Sequence, residues 1–233
     1  MKLSVIQASP RGMRGFTGRL LKPLLAAVED AGAQTELFSF DSLAVHPCKG
    51  CLEICHTKGK CHQQDDFEKI LDSMLAADGI VFAVPNYMFG VTAQLKALLD
   101  RCSLPLHCMR FYGKYATTVV TCGGSPPEDV ESYCTKILTQ FGLRLINGVS
   151  GVLMQFEDPD ENAQIEKASA DLGRRLVQAI AQKETWPEQE EQIKQAYEIM
   201  SFVVQSQQAN WPVAADYWNK HGEQLPLDEQ EDL

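Results

Sequence analysis

Residues 79–101 read GIVFAVPNYMFGVTAQLKALLDR. Gly79–Pro85 is apolar without polar alternation, the pattern of a strand covered on both faces. Thr92–Cys102 keeps helical period, with Thr92 placed as N-cap. The loop between them carries Tyr87, Met88 and Phe89, where an ordinary loop would be polar. Outward from this strand–loop–helix unit the same alternation recurs. Lys2–Ala8 reads as a strand, and Leu20, Leu21, Leu24, Leu25 and Val28 mark a helix face that stops near Gly32. Pro23 is placed in that helix's first turns, where its missing N–H costs least. Thr35–Phe40 is a second strand. A helix through Phe67, Ile70, Leu71, Met74 and Leu75 follows, with Asp65 and Glu68 fitting a capping box. Then come a strand over Ala116–Cys122, a helix over Pro127–Phe141 stopped by Gly142, and a strand over Val149–Gln155. A helix through Ile165, Ala168, Leu172, Leu176 and Ile180 closes the series. Strand and helix alternate throughout, which predicts an α/β domain over residues 1–183, a doubly wound five-stranded parallel sheet with helices on both faces.

Past Trp186 the pattern changes. Ile193, Ala196, Tyr197, Met200, Val203 and Val204 form one more amphipathic helix, followed by WPVAADYWNKHG over residues 211–222. This extension, 184–233, holds 11 acids against 2 bases, while residues 1–183 hold 20 and 19. No basic field favours nucleic acid. No run approaches the ~18 apolar residues of a membrane span. MKLSVIQASP is too short for a signal peptide, so a cytoplasmic, reducing location is expected. The apolar face of the added helix needs either its own sheet or a partner subunit, and a homodimer or homotetramer is expected.

Ligands of doubly wound sheets bind where the strands end. After the first strand comes SPRGMRGFTGR, residues 9–19. Ser9 and Thr17 supply hydroxyls, Arg11, Arg14 and Arg19 supply charge, and the glycines let amides approach a helix N-terminus. That is chemistry for a phosphate. It is neither GxGxxG nor a Walker loop, so a monophosphate fits better than a dinucleotide or a nucleoside triphosphate. The plainer alternative is a flexible turn with surface arginines. After the third strand, Tyr87 and Phe89 either flank a planar ring or cover the sheet edge. After the fourth, Thr121, Gly123 and Gly124 offer exposed backbone donors suited to a ring edge.

Between Pro47 and Asp66 the chain reads PCKGCLEICHTKGKCHQQDD. Cys48, Cys51, Cys55 and Cys61 have the spacing C-x2-C-x3-C-x5-C. Thiols this close suggest a cluster, structural zinc, or a patch of separate redox thiols. His46, His56 and His62 read as surface loop residues, and Cys134 reads as core.

Four stretches, ASPRGMRGFTGRLL, PCKGC…C…GKC…DD, VPNYMFGVTAQLKALLDR and TCGG, resemble the NAD(P)H-dependent FMN reductase and iron–sulfur flavoprotein family, in family order and spacing. The resemblance implies a flavodoxin-like fold with strand order 2-1-3-4-5 and bound FMN. Carried over, Ser9, Arg11 and Thr17 match the phosphate loop, with Phe16 where a small polar residue is usual. Pro85, Asn86, Tyr87, Met88, Phe89 and Gly90 match the segment along the isoalloxazine, Met88 standing where Trp is common. Thr121, Cys122, Gly123 and Gly124 match the loop at the pyrimidine end. Cluster-bearing members have CxxCxxC, a longer gap and a fourth Cys, so Cys48, Cys51, Cys55 and Cys61 would be ligands of a [4Fe–4S] cluster here. The implied function is an oxidoreductase passing electrons from NAD(P)H through FMN to a small-molecule or small-protein acceptor. An iron–sulfur flavoprotein fed by a ferredoxin-like donor is the alternative. A non-enzymatic redox carrier or metal-binding protein is the third reading. Following strand two, the cysteine loop is expected on the flavin side of the sheet.

Overall fold

In the computed structural model, which describes residues 1–222, the strands β1 (Lys2–Gln7), β2 (Gln34–Ser39), β3 (Gly79–Pro85) and β4 (Tyr115–Cys122) lie parallel. The sheet order is β2-β1-β3-β4-β5, the order expected, and β6 also pairs with β4. The outer position is thus shared by two short strands, β5 (Arg144–Leu145) and β6 (Val149–Val152). The expected strand over Val149–Gln155 ends early because α7 (Leu153–Glu157) begins there, with the Val152 amide donating to the Gln155 side chain at 2.9 Å.

The helices cover both faces. α1 (Phe16–Asp30) and α8 (Pro159–Gln182) seal one face over Leu3, Val5, Val81 and Val119. α3 (Phe67–Ala76), α4 (Ala93–Arg101) and α6 (Glu128–Gln140) seal the other over Ile6, Phe82 and Val120. Both sides of β3 are therefore buried, which is why its sequence shows no polar alternation. Thr92 caps α4 as expected, accepting from the Leu95 amide at 3.3 Å.

Two local expectations are corrected. Pro23 lies two turns inside α1, not in its first turns, because the helix already begins at Phe16. Asp65 and Glu68 do not form a capping box at α3. Glu68 accepts instead from the Cys61 amide at 2.9 Å, and Asp65 is drawn into an ion pair with Arg101.

Three short helices had no clear signal: α2 (Leu52–Lys58), α5 (Ser103–His107) and α10 (Pro212–His221). α9 (Pro187–Ser206) extends the predicted last helix. Its apolar face packs within this chain: Ile193, Ala196 and Met200 meet Met109, while Val204 joins Leu104, Cys108 and Ala214 of α10. Ile199 and Phe202 stay exposed on its outer side. The end of the acidic extension, residues 223–233, lies outside the described residues. Among the described residues no helix is long and apolar enough to cross a membrane.

Candidate functional site

The loop after β1 is built around a buried glutamine. Gln7 accepts from the Ser9 amide at 3.1 Å, and Ser9 Oγ accepts from the Arg11 amide at 3.2 Å. Gly12 has φ +54°, and a Cβ there would overlap the Asp41 carboxylate, 2.3 Å from its oxygen. The turn delivers the chain to Gly15, the N-cap of α1, which makes no side-chain cap bond. The first amides of α1 are thus left for a ligand at the positive end of the helix dipole. Gly18 sits so close to Met13 that an added Cβ would stand 2.4 Å from its Cα. Thr17 is buried, and its hydroxyl lies 2.6 Å from that of Thr121, joining the first and fourth loops.

Around this junction runs a cleft of about 280 Å³. Ser9, Arg11, Phe16 and Thr17 line one side, Pro85, Asn86 and Tyr87 another, and Thr121, Cys122 and Gly123 the third. Ten of the fourteen residues read from the sequence as cofactor-binding therefore meet in one place. Leu153, at the start of α7, also lines it and had no signal in the sequence. Met88, Phe89, Gly90 and Gly124 are not among the lining residues. Met88 and Phe89 are the centre of a tight turn closed by Tyr87 N–H to Gly90 O (2.9 Å) and Gly90 N–H to Tyr87 O (3.1 Å). Their φ values are +51° and +62°, and their side chains are 92% and 67% exposed. Left-handed backbone at two non-glycine residues costs about 1–2 kcal/mol each and is characteristic of functional loops. Arg19 is not at the cleft floor. It bonds Asn162 at 3.2 Å and lies over Phe16 and Phe156.

The cleft's chemistry suits FMN. Uncapped amides, two hydroxyls and Arg11 could hold a phosphate. The Asn86 side chain donates to Ser125 and Pro126, while its Oδ1 is buried without a partner, an acceptor left for a ring N–H. A Cβ on Gly123 or Gly124 would meet nothing within 4 Å, so these glycines leave open space beside the fourth strand's end. Burial pushes the Cys122 thiol up, against a hydrogen bond from Asn86, and keeps it protonated.

The cysteine loop leaves the same edge of the sheet, after β2. Its neck is stitched shut. Ala44 N–H donates to Asp66 at 2.8 Å and Asp66 N–H to Ala44 O at 3.0 Å. His46 N–H donates to Asp65 at 2.8 Å, and Arg101 donates to His46 O at 3.3 Å. Arg101 and Asp65 pair at 2.5 Å with side chains 1% and 2% exposed. The same guanidinium donates to Cys61 Sγ at 3.3 Å and lies 4.2 Å from the Phe67 ring centroid.

Cys48, Cys51, Cys55 and Cys61 all line one small cavity of about 30 Å³, with His62, Arg101 and Ser103. The three-residue gap has a structural meaning. Cys51 is the N-cap of α2 and Cys55 lies one turn on, so both face the same way. Gly59, at φ +77°, ends α2 and returns the chain to Cys61. Burial and then the neighbouring Cys51 push the Cys55 thiol up. The four sulfurs suit a thiolate-bound metal group in donor chemistry, yet among the described residues no three His, Cys, Asp or Glu stand as a ready metal-binding set. His46 and His62 are exposed as expected, but His56 is fully buried.

A doubly wound parallel sheet in the order β2-β1-β3-β4-β5, with helices on both faces and a cleft at the strand ends, defines a flavodoxin-like fold. Residues 1–157 match the family described as NADPH-dependent FMN reductase, and the chain belongs to that family of oxidoreductases. An iron-sulfur flavoprotein of Archaeoglobus fulgidus is 28% identical over 205 residues, 87% of this chain and 91% of that one. An iron-sulfur flavoprotein of Methanocaldococcus jannaschii is 43% identical over 106 residues, 46% of this chain and 53% of that one. Among solved structures, the NAD(P)H:quinone oxidoreductase from Methanothermobacter marburgensis superposes with TM-score 0.58 at 17% identity, covering 76% of this chain and 98% of that one. The apo form of an NADH:FMN oxidoreductase gives 0.56 at 21%, covering 81% and 92%. These two likenesses concern the fold.

Proposed function

We propose that the chain binds FMN in the strand-end cleft and passes electrons from NAD(P)H to a small-molecule or small-protein acceptor. One observation carries the reading: the uncapped N-terminus of α1, framed by Ser9, Arg11 and the buried Thr17–Thr121 pair, opens into a cleft that also holds the unpartnered Asn86 Oδ1. Bound FMN would supply the hydride and electron chemistry. The chain's own residues bind and orient. The α1 amides, Ser9, Thr17 and Arg11 hold the phosphate. Asn86 Oδ1 would accept from the ring, Tyr87 would lie against it, and Gly123 would leave room for its edge. No side chain is needed as an acid or base, and the Cys122 thiol stays neutral beside the ring. Steady-state oxidation of NADH and NADPH by FMN-loaded protein, with a quinone or free flavin as acceptor, tests this. Turnover with either nucleotide supports it, and none with both sinks the nicotinamide half while leaving FMN binding to be judged by titration.

A second reading is favoured by the convergence of the four thiols on one cavity and by the name of the relatives. Cys48, Cys51, Cys55 and Cys61 would hold a [4Fe–4S] cluster, and the protein would take electrons from a ferredoxin-like donor. About four irons per chain after anaerobic reconstitution supports it; no iron leaves an FMN reductase with a cysteine-rich loop. A cytoplasmic location and a homodimer or homotetramer complete the proposal. The exposed Tyr87, Met88 and Phe89 in the loop after β3, and Ile199 and Phe202 on α9, are apolar side chains that a second copy would cover.

A further inference from the structure

α2 has too few residues to hold itself together; a helix of this length in water is far below the ~12–15 residues that make even a good sequence marginal. Its principal neighbours among the elements are α10 and α5. The contact is specific. His56, the residue after Cys55, is 0% exposed. Its ring stacks on Trp211 with centroids 4.2 Å apart and planes 19° from parallel. His107 packs edge-on to His56 at 5.1 Å and tilts against Trp211 at 4.6 Å. His56 Nε2 lies 3.2 Å from Ser103 Oγ, and His107 Nδ1 lies 2.8 Å from Ser103 O. Trp218 Nε1 donates to the His107 carbonyl at 2.7 Å, fixing α10 to the same spot. Val213 lies 3.5 Å from where a Gly59 Cβ would be, at the end of α2. His56 Nδ1 is buried with no partner.

A short helix held at one side chain is held in rotation. Successive residues of a helix point about 100° apart, so fixing His56 fixes the direction of Cys55 and, one turn earlier, of Cys51. We propose that Trp211 is a positioning residue for the cysteine cavity. Stacked on His56, it holds α2 in the rotation that turns Cys51 and Cys55 toward the cavity shared with Cys48 and Cys61. The C-terminal arm, which lies beyond the residues that define the family match, does not line the cavity but braces α2 from behind through Trp211. The assignment does not depend on which group the thiols bind, because it concerns their presentation.

The test uses the full-length protein, stripped of metal with a chelator under reducing conditions. Labelling by N-ethylmaleimide at one fixed pH is followed for each cysteine by peptide mass spectrometry. In Trp211→Ala, Cys51 and Cys55 are expected to label at least tenfold faster, while Cys134, buried in the sheet core, keeps its wild-type rate. Trp211→Phe retains an aromatic face and is expected to fall between the two. FMN affinity should stay within twofold of wild type in both variants, which a general loosening of the fold would not allow. Wild-type labelling of Cys51 and Cys55 in Trp211→Ala overturns the proposal. If Cys134 accelerates together with Cys55 in that variant, the fold has been lost and Trp211→Phe decides: a several-fold rise confined to Cys51 and Cys55 supports the role, and an unchanged rate overturns it.

Discussion

Asp65→Ala should cost more stability than any surface change in this chain. Asp65 accepts from Arg101 at 2.5 Å, from His46 N–H at 2.8 Å and from Phe67 N–H at 3.1 Å, with its side chain 2% exposed. Removing it leaves a guanidinium that is 1% exposed with only the His46 carbonyl and the Cys61 sulfur to bond. Breaking one side of a buried pair costs about 3–5 kcal/mol. That is a large part of the ~5–15 kcal/mol that holds an ordinary domain. With a urea m-value of about 2–3 kcal/mol/M, the unfolding midpoint should fall by about 1–2.5 M. The double variant Asp65→Ala with Arg101→Met should lose less than Asp65→Ala alone, because no buried charge is stranded. Burial opposes ionisation of Asp65, but the Arg101 hydrogen bond and the two backbone donors outweigh it and hold the carboxyl below the usual range. Its contribution is therefore fully present above about pH 4, the unfolded value, and is lost as pH falls through the lower folded value. Circular dichroism melts in urea at pH 7 measure the shift. A midpoint within about 0.3 M of wild type would refute the idea that this pair closes the neck of the cysteine loop.

Gly18→Ala should abolish or sharply weaken FMN binding with the far-ultraviolet spectrum unchanged, because the new methyl would press on the Met13 backbone and push the phosphate loop off α1. Flavin fluorescence titration reads it, and wild-type affinity would count against the loop's role. Light scattering at micromolar concentration should give a dimer or tetramer, and Met88→Glu combined with Phe202→Glu should shift it toward monomer; a monomeric wild type ends that expectation.

The sheet was legible because β3 is an unbroken apolar run and β1 and β4 are mostly apolar, broken only by small or terminal polar residues such as Ser4, Thr117 and Thr118, so they need no tertiary information to read. The cleft was legible for a related reason. Ser9–Thr17, Pro85–Tyr87 and Thr121–Gly123 each follow such a strand, and the topology of a doubly wound sheet gathers strand ends at one edge. The cysteine site was legible only in its sulfurs. Arg101 ends an amphipathic helix and looks like a surface charge; its partner Asp65 looks like a helix cap. Only the fold brings the two together across the loop neck. His56 looked like a loop histidine because the ring that buries it, Trp211, lies more than half the chain away in sequence. Met88 and Phe89 gave no warning of left-handed backbone, a conformation their side chains disfavour and the Tyr87–Gly90 bridge imposes.

The central claim is that the strand-end cleft is an FMN site built on the N-terminus of α1. Titration of the flavin-free protein with FMN, followed by fluorescence quenching, tests it most directly. The account predicts one FMN per chain at saturation, and a loss of affinity well over tenfold in Arg11→Ala combined with Thr17→Ala, since each charge-assisted bond to a phosphate is worth roughly 1.5–3 kcal/mol. Saturable binding that this double variant leaves unchanged, or no binding by the wild-type chain, would contradict it.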